Sequence, residues 1–202
     1  MSITFQIINT VTIFIAISVV ALITSSYAEE TEKKLTLYNH TLEKAASTDA
    51  LTLLPNRRGI LAYLDQLFDK NQDTQEVHRF SIVIGDVDLF KKVNDQFGHE
   101  CGDVVLKEIS RVFSDFMKDK GQVSRWGGEE FLFVFDHFNK EETSQQLESL
   151  NERIKKLVLI YEEHPIHIAL TYGVAEYCGG DYHHTIMQAD QKLFVGKRSG
   201  RN

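Results

Sequence analysis

Two pairs of acidic residues stand at the ends of apolar runs. Phe80, Ile82, Val83 and Ile84 lead into Asp86 and Asp88, while Glu129 and Glu130 follow Gly127-Gly128 and precede the run Phe131 to Phe135. A carboxylate is costly to bury alone, so apolar strands that end in paired acids call for a cation. Oxygen donors with no neighbouring His or Cys suit Mg²⁺ or Mn²⁺ better than zinc. Mg²⁺ held by one or two carboxylates also leaves room for substrate phosphates. The competing reading is that these acids cap a helix, as Asp88 could, and line the solvated mouth of a hairpin.

The elements that must position these acids follow from periodicity. Leu51 to Pro55 is rich in turn signals, and Asn56 can N-cap a helix to about Lys70, followed by a polar loop from Asn71 to His78. Arg79 to Val87 reads as a nearly continuous apolar strand, which suits a sheet covered on both faces. Leu89 to Phe97 is expected to be helical and to stop at Gly98. A longer helix, Val104 to Met117, follows with Val104, Val105, Ile109, Val112, Phe113 and Phe116 as its buried stripe. Val123–Trp126, the turn pair Gly127-Gly128 and Phe131–Phe135 read as a β-hairpin. Lys140 to Tyr161 reads as one long amphipathic helix, Ile166 to Val174 as a strand introduced by Pro165, and His184 to Lys197 as a last helix closed by Gly200. Helices interleave with strands around a central hairpin, which predicts an α/β sandwich with a mixed sheet.

Composition bounds the partners. The 202 residues carry 22 Lys+Arg against 29 Asp+Glu, a net charge of −7, which excludes a cationic coat for nucleic acid. A hydrophobic fraction of 43% with 13 Phe and 2 Pro excludes a disordered or collagen-like chain. Cys101 and Cys178 cannot form a disulfide framework, and no CxxC pair suggests zinc. His164, His167, His183 and His184 lack a third ligand at suitable spacing and read as surface residues.

No charged residue occurs before Glu29, and Val11 to Ile23 is apolar apart from Thr12 and Ser18. Residues 1–28 are long enough to span a bilayer as a helix. Lys33 and Lys34 come after the run, which places the C-terminal side in the cytoplasm and predicts a single-pass protein of the inner membrane. A secretory signal ending at Ser26-Tyr27-Ala28 is the alternative, although it lacks a basic n-region, and a helix of a soluble protein is a third. Residues 29–47 read as a helical linker. Leu35, Tyr38, Leu42 and Ala45 form an a/d-like seam, either a short dimerising stalk or a solvated helix with one apolar stripe. No sensory domain is expected within these 47 residues; the alternative is that the chain is the end of a longer one, with the sensor upstream.

Residues 48–202 carry a family resemblance. Gly127-Gly128-Glu129-Glu130-Phe131 resembles the signature of GGDEF domains, the bacterial diguanylate cyclases. Asp49 to Arg58 resembles the family's opening segment. Asp86 to Asp95, followed by Gly98-His99 and Gly102-Asp103, resembles its nucleotide-binding stretch. Ala189-Asp190, Leu193-Phe194, Lys197 and Gly200-Arg201-Asn202 resemble its C-terminal signature. The resemblance implies a fold similar to the palm of nucleotidyl cyclases and polymerases. It also implies an activity that condenses two GTP into cyclic di-GMP with release of two pyrophosphates. Each domain would hold one GTP, so a homodimer is needed to complete the active site. A catalytically silent GTP-binding or scaffold domain is the alternative.

By this resemblance, Asp86, Glu129 and the Val87 carbonyl would hold two Mg²⁺ (or Mn²⁺) per active site, which suits attack of a 3′-OH on an α-phosphorus. Glu129 or Glu130 would accept the 3′-OH proton, though a carboxylate beside metal makes a better ligand than base. Phe90 belongs to the same nucleotide-binding stretch. Helix N–H groups after Asp88 favour phosphate, and Lys91 can stabilise the charge that develops there, unless it is an ordinary solvated lysine. Lys197 and Arg201 can grip the triphosphate from one helix face. Asn94 and Asp103 would select guanine, because a carboxylate can accept from both the ring N–H and the exocyclic amine. Asp103 also stands where an N-cap is expected, and His99 is either near the nucleotide or structural. Many members carry Arg-x-x-Asp before the hairpin as a product-inhibition site. This chain has Lys118-Asp119-Lys120-Gly121, with neither arginine's planar fork nor the carboxylate.

Overall fold

In the computed structural model, which describes residues 20–36, 38, 46–73 and 79–200, the contacts divide the chain into two units, Met1–Ala45 and Ala46–Asn202. In the first, α1 (residues 20–36) is solvated along its length. Lys33 and Lys34 pair one turn back with Glu29 and Glu30 at 2.6 and 2.7 Å. Among the described residues no helix is long and apolar enough to cross a membrane. Residues 1–19 of the expected anchor lie outside the described residues. Of the expected seam, Leu35 and Tyr38 are exposed, and Leu42 and Ala45 lie outside the described residues.

The second unit is a four-stranded sheet between two helical layers. Its elements run α2 (Arg57–Asp73), β1 (Phe80–Val87), α3 (Phe90–Phe97), α4 (His99–Met117), β2 (Gly121–Gly127), β3 (Glu130–Asp136), α5 (Lys140–Lys155), β4 (Leu159–Tyr161), β5 (His164–Ile166), β6 (Leu170–Glu176) and α6 (Tyr182–Arg198). The main sheet has the order β2-β3-β1-β6, and every neighbouring pair is antiparallel. This corrects the expected mixed sheet. The β1-to-β2 crossover does yield two strands of the same direction, but β3 inserts between them, as in ferredoxin-like βαββαβ units.

Both faces of the sheet are buried, and the pleat decides which residues go where. Val83, Val87, Phe131, Phe133 and Phe135 face α3, α4 and α5. Ile82, Ile84, Leu132 and Val134 face α2 and α6. Phe113 on α4 packs edge-on against Phe131 and Phe133, with ring centroids 5.0 Å apart in each case. On the other face the backbone of α6 presses onto β6. A Cβ at Gly173 would collide with the Ala189 carbonyl and with Leu193, so only glycine permits this approach.

Asn56 caps α2 as expected, its Oδ1 accepting from the N–H groups of Arg58 and Gly59 at 2.9 and 3.1 Å. The helix runs to Asp73, into the expected polar loop, and residues 74–78 lie outside the described residues. Three other expectations change. Helix α4 begins at His99 rather than at Val104, so Asp103 sits inside it, exposed, and is not its N-cap. Helix α5, closed at its start by the Asn139–Glu142 capping box, ends at Lys155. Beyond it Leu157, Val158, Leu159, Ile160 and Tyr161 follow without polar spacing, which breaks the helical stripe and favours extended chain. Glu162 and Glu163, at φ 45° and 67°, then turn it into the β4–β5 hairpin. The expected strand Ile166–Val174 is accordingly two strands, and Pro165 lies in β5 of the two-stranded sheet.

Candidate functional site

The last residues of β1 gather the site. Asp86 stands in register with Glu130 on β3 and with Thr171 on β6. Its side chain is 9% exposed, and Lys197 Nζ on the last turn of α6 lies 2.7 Å from its Oδ2. Gly173 lets α6 approach the sheet, and Lys197 follows Leu193 by one turn, so the close helix–sheet contact delivers the ammonium to the carboxylate. Asp88 accepts from the Thr171 hydroxyl at 2.8 and 3.0 Å, and its N–H donates to the Ala169 carbonyl. Helix α3 starts after Leu89, with no side-chain cap. Leu89 has φ 58°, a left-handed conformation that costs a bulky residue on the order of 1–2 kcal/mol. Such strain concentrates at functional sites.

The hairpin turn consists of Gly128 and Glu129 rather than Gly127-Gly128, because Gly127 still pairs with Glu130. Gly128, at φ 47°, takes the left-handed turn position. The Glu129 carbonyl accepts from the Val87 N–H at 3.3 Å, which ties the turn to the end of β1. Burial pushes the Glu130 carboxyl up from its ordinary value. The charge of Asp86 adds to this and Lys197 opposes it, with Asp190 and Glu129 contributing smaller repulsions.

Asp86, Val87, Glu129, Glu130 and Lys197 are thus brought together, and the contact of Lys197 with Asp86 is one that the sequence did not predict. Apart from the Lys197 ammonium, the polar atoms are carboxylate and carbonyl oxygens, which fits Mg²⁺ or Mn²⁺. Among the described residues no three His, Cys, Asp or Glu side chains form a ready-made cage. That also fits, since Mg²⁺ usually completes its shell with water and substrate phosphate.

The remaining candidates line α3 and the start of α4. Phe90 is buried in the core, while Lys91, His99 and Asp103 are exposed. Asn94 is half-buried, and its Oδ1 has no hydrogen-bond partner among the described residues. That atom lies against Gly102, where a Cβ would collide with it and come within 3.0 Å of the Phe90 ring. Glycine there leaves room for the Asn94 amide where α4 passes α3. Arg201 lies outside the described residues.

Residues 46–202 match the family described as "Diguanylate cyclase, GGDEF domain". The chain belongs to the GGDEF family. Among curated relatives of this GGDEF domain, the diguanylate cyclase DosC of Escherichia coli (strain K12) is 33% identical over 172 residues, covering 82% of this chain and 36% of that protein. A diguanylate cyclase of Vibrio cholerae serotype O1 is 34% identical over 168 residues, covering 80% of this chain and 50% of that protein. The chain therefore spans between about a third and half of these relatives' length. Among solved structures, the coiled coil and GGDEF domain of DgcB from Caulobacter crescentus in complex with c-di-GMP is similar at a TM-score of 0.77 and 26% identity. It covers 91% of this chain and 96% of that one. The active GGEEF domain of a diguanylate cyclase from Vibrio cholerae is similar at a TM-score of 0.65 and 31% identity, covering 73% and 94%.

Two arrangements around the GGDEF hairpin escaped the sequence. Arg125 joins the hairpin to the turn at Asp49, with Nη1 3.2 Å from Asp49 Oδ1 and Nε donating to the Gly128 carbonyl at 2.9 Å. Beside it the Arg57 guanidinium stacks over the Trp126 ring, 4.3 Å from the centroid. Asp49 and Arg57 stand in the opening motif, which was the available signal, but motif position alone does not name a partner 76 residues away.

Proposed function

We propose that this chain is a diguanylate cyclase that joins two GTP molecules into cyclic di-GMP and releases two pyrophosphates, with two copies facing each other across their sites. The observation that carries the reading is the intact Gly127–Phe131 pentad with its two glutamates beside the end of β1, where Asp86 stands in register with Glu130. It is the same pentad, GGEEF, that names the active Vibrio cholerae domain.

In this reading Asp86, Glu129 and the Val87 carbonyl hold Mg²⁺ or Mn²⁺, which when bound neutralises charge on the attacking and leaving oxygens. Glu130, whose carboxyl already holds its proton more tightly than usual, stands beside Glu129 as a candidate acceptor of the 3′-OH proton. Lys91, Lys197 and Arg201 bind the triphosphate. Asn94 and Asp103 read the guanine edge. Residues 1–28 anchor the protein in the inner membrane with the domain cytoplasmic. Residues 29–47 bring two domains together and raise their effective concentration.

The test is to incubate the purified chain with GTP and Mg²⁺ and to separate the products by chromatography. Cyclic di-GMP is expected, with Glu129→Ala reducing it at least about 100-fold. No product from an oligomeric sample, or undiminished product from Glu129→Ala, overturns the reading.

A further inference from the structure

Asp86 already has a cation, and it is Lys197. The carboxylate is almost wholly enclosed, and the ammonium 2.7 Å from its Oδ2 is the partner that compensates its charge. Glu130 stands in register with Asp86 on the neighbouring strand, Glu129 precedes it in the hairpin turn, and Asp190 lies on α6 with Lys197. One ammonium therefore serves a strongly acidic corner. The lysine side chain remains 33% exposed at a helix end, on a flexible four-carbon stem that can swing outward.

We propose that Lys197 is a displaceable counter-ion that competes with the divalent cation for Asp86, so that metal and nucleotide enter the site together. The proposal rests on the cyclase reading, and it concerns how ligands enter the site rather than the reaction. A divalent cation reaching Asp86 meets the Lys197 ammonium at the oxygen it needs, and two like charges cannot share that position. In the cyclase reading the neighbouring glutamates face the incoming metal, so an expelled lysine needs a further anion to receive its charge. A triphosphate supplies that anion and takes the lysine as it leaves Asp86. Each ligand thus removes the obstacle to the other, a positive coupling carried by one side chain. Lys197 acts here as a positioning residue through Asp86.

The experiment is titration of the full chain with Mn²⁺ in the absence of nucleotide, followed by electron paramagnetic resonance of the free ion. Lys197→Met and Lys197→Gln are both expected to bind Mn²⁺ about tenfold more tightly than the unaltered chain. Lys197→Arg, which keeps the charge, is expected to remain near the unaltered affinity. Asp86→Asn is expected to abolish the gain in the Lys197→Met background. Equal or weaker Mn²⁺ binding by both neutral variants overturns the proposal, as does a gain that survives Asp86→Asn. Synthesis of cyclic di-GMP by the unaltered chain is scored separately. Its absence overturns the cyclase reading while leaving the Mn²⁺ comparison intact.

Discussion

Arg125 and Asp49 form an ion pair across 76 residues of sequence, with Nη1 within 3.2 and 3.3 Å of the two carboxylate oxygens. Both side chains are mostly enclosed, at 18% and 22% exposure. The same guanidinium holds the Gly128 carbonyl, so the pair fastens the Glu129 turn to the first turn of the domain. Asp49→Asn is expected to lower stability by about 1–2 kcal/mol, as for a hydrogen-bonded charge that keeps some solvent access. Urea denaturation checks this. Arg125→Met is expected to cut cyclic di-GMP synthesis about tenfold or more, because a small displacement of a positioned group is costly. Turnover equal to that of the unaltered chain removes the hairpin-positioning argument.

The same pair predicts a pH dependence. Burial pushes the Asp49 carboxyl up, but hydrogen bonds from the Thr52 hydroxyl and N–H, together with the Arg125 guanidinium, outweigh it and hold the carboxyl below its ordinary value. A depressed carboxylate stabilises the fold above its unfolded pKa of about 4, and that contribution is lost as pH falls through the lower folded value. The stability gap between the unaltered chain and Asp49→Asn is therefore expected to be constant near neutrality and to close below about pH 4. Denaturation midpoints measured at several pH values decide it, and a gap that widens in acid contradicts the assignment.

Gly102→Ala is expected to act on substrate binding more than on folding. The new methyl would push Asn94 Oδ1 aside and crowd the Phe90 ring. In the proposed reading Asn94 meets the guanine edge, so KM for GTP is expected to rise about tenfold while the preference for GTP over ATP falls. Steady-state kinetics with both nucleotides provide the measurement, and an unchanged KM places guanine elsewhere.

Product inhibition through the segment before the hairpin is expected to be absent. Lys118 is engaged by Asp115 at 2.5 Å. Position 121 is a glycine, the first residue of β2, and offers no carboxylate. Calorimetry with cyclic di-GMP is expected to show no submicromolar binding in that segment, so Lys118→Ala leaves any tight binding unchanged.

Much of this site was legible in the chain itself. Unbroken burial along β1 and nearly unbroken burial along β3 follow from their continuous apolar runs, and the hairpin follows from glycines before a β-rich run. Asp86 and Glu129 stood out because paired acids at apolar strand ends are costly without a cation. Boundaries were less legible. Val158, Ile160 and Tyr161 could extend a helix or form a strand, and the positive-φ pair Glu162-Glu163, which carries no glycine signal, decided for the strand.

The sequence by itself determined the family, the layered α/β architecture and the residue types of the site, because local periodicity and short motifs encode them directly. Tertiary structure decided the antiparallel order, since only the insertion of β3 between β1 and β2 sets the neighbours. It also decided the pairings of Asp49 with Arg125 and of Asp86 with Lys197. Those residues lie 76 and 111 positions apart. Charge–charge contact depends on distance in space, which the chain acquires only when β1, the hairpin and α6 pack against one another.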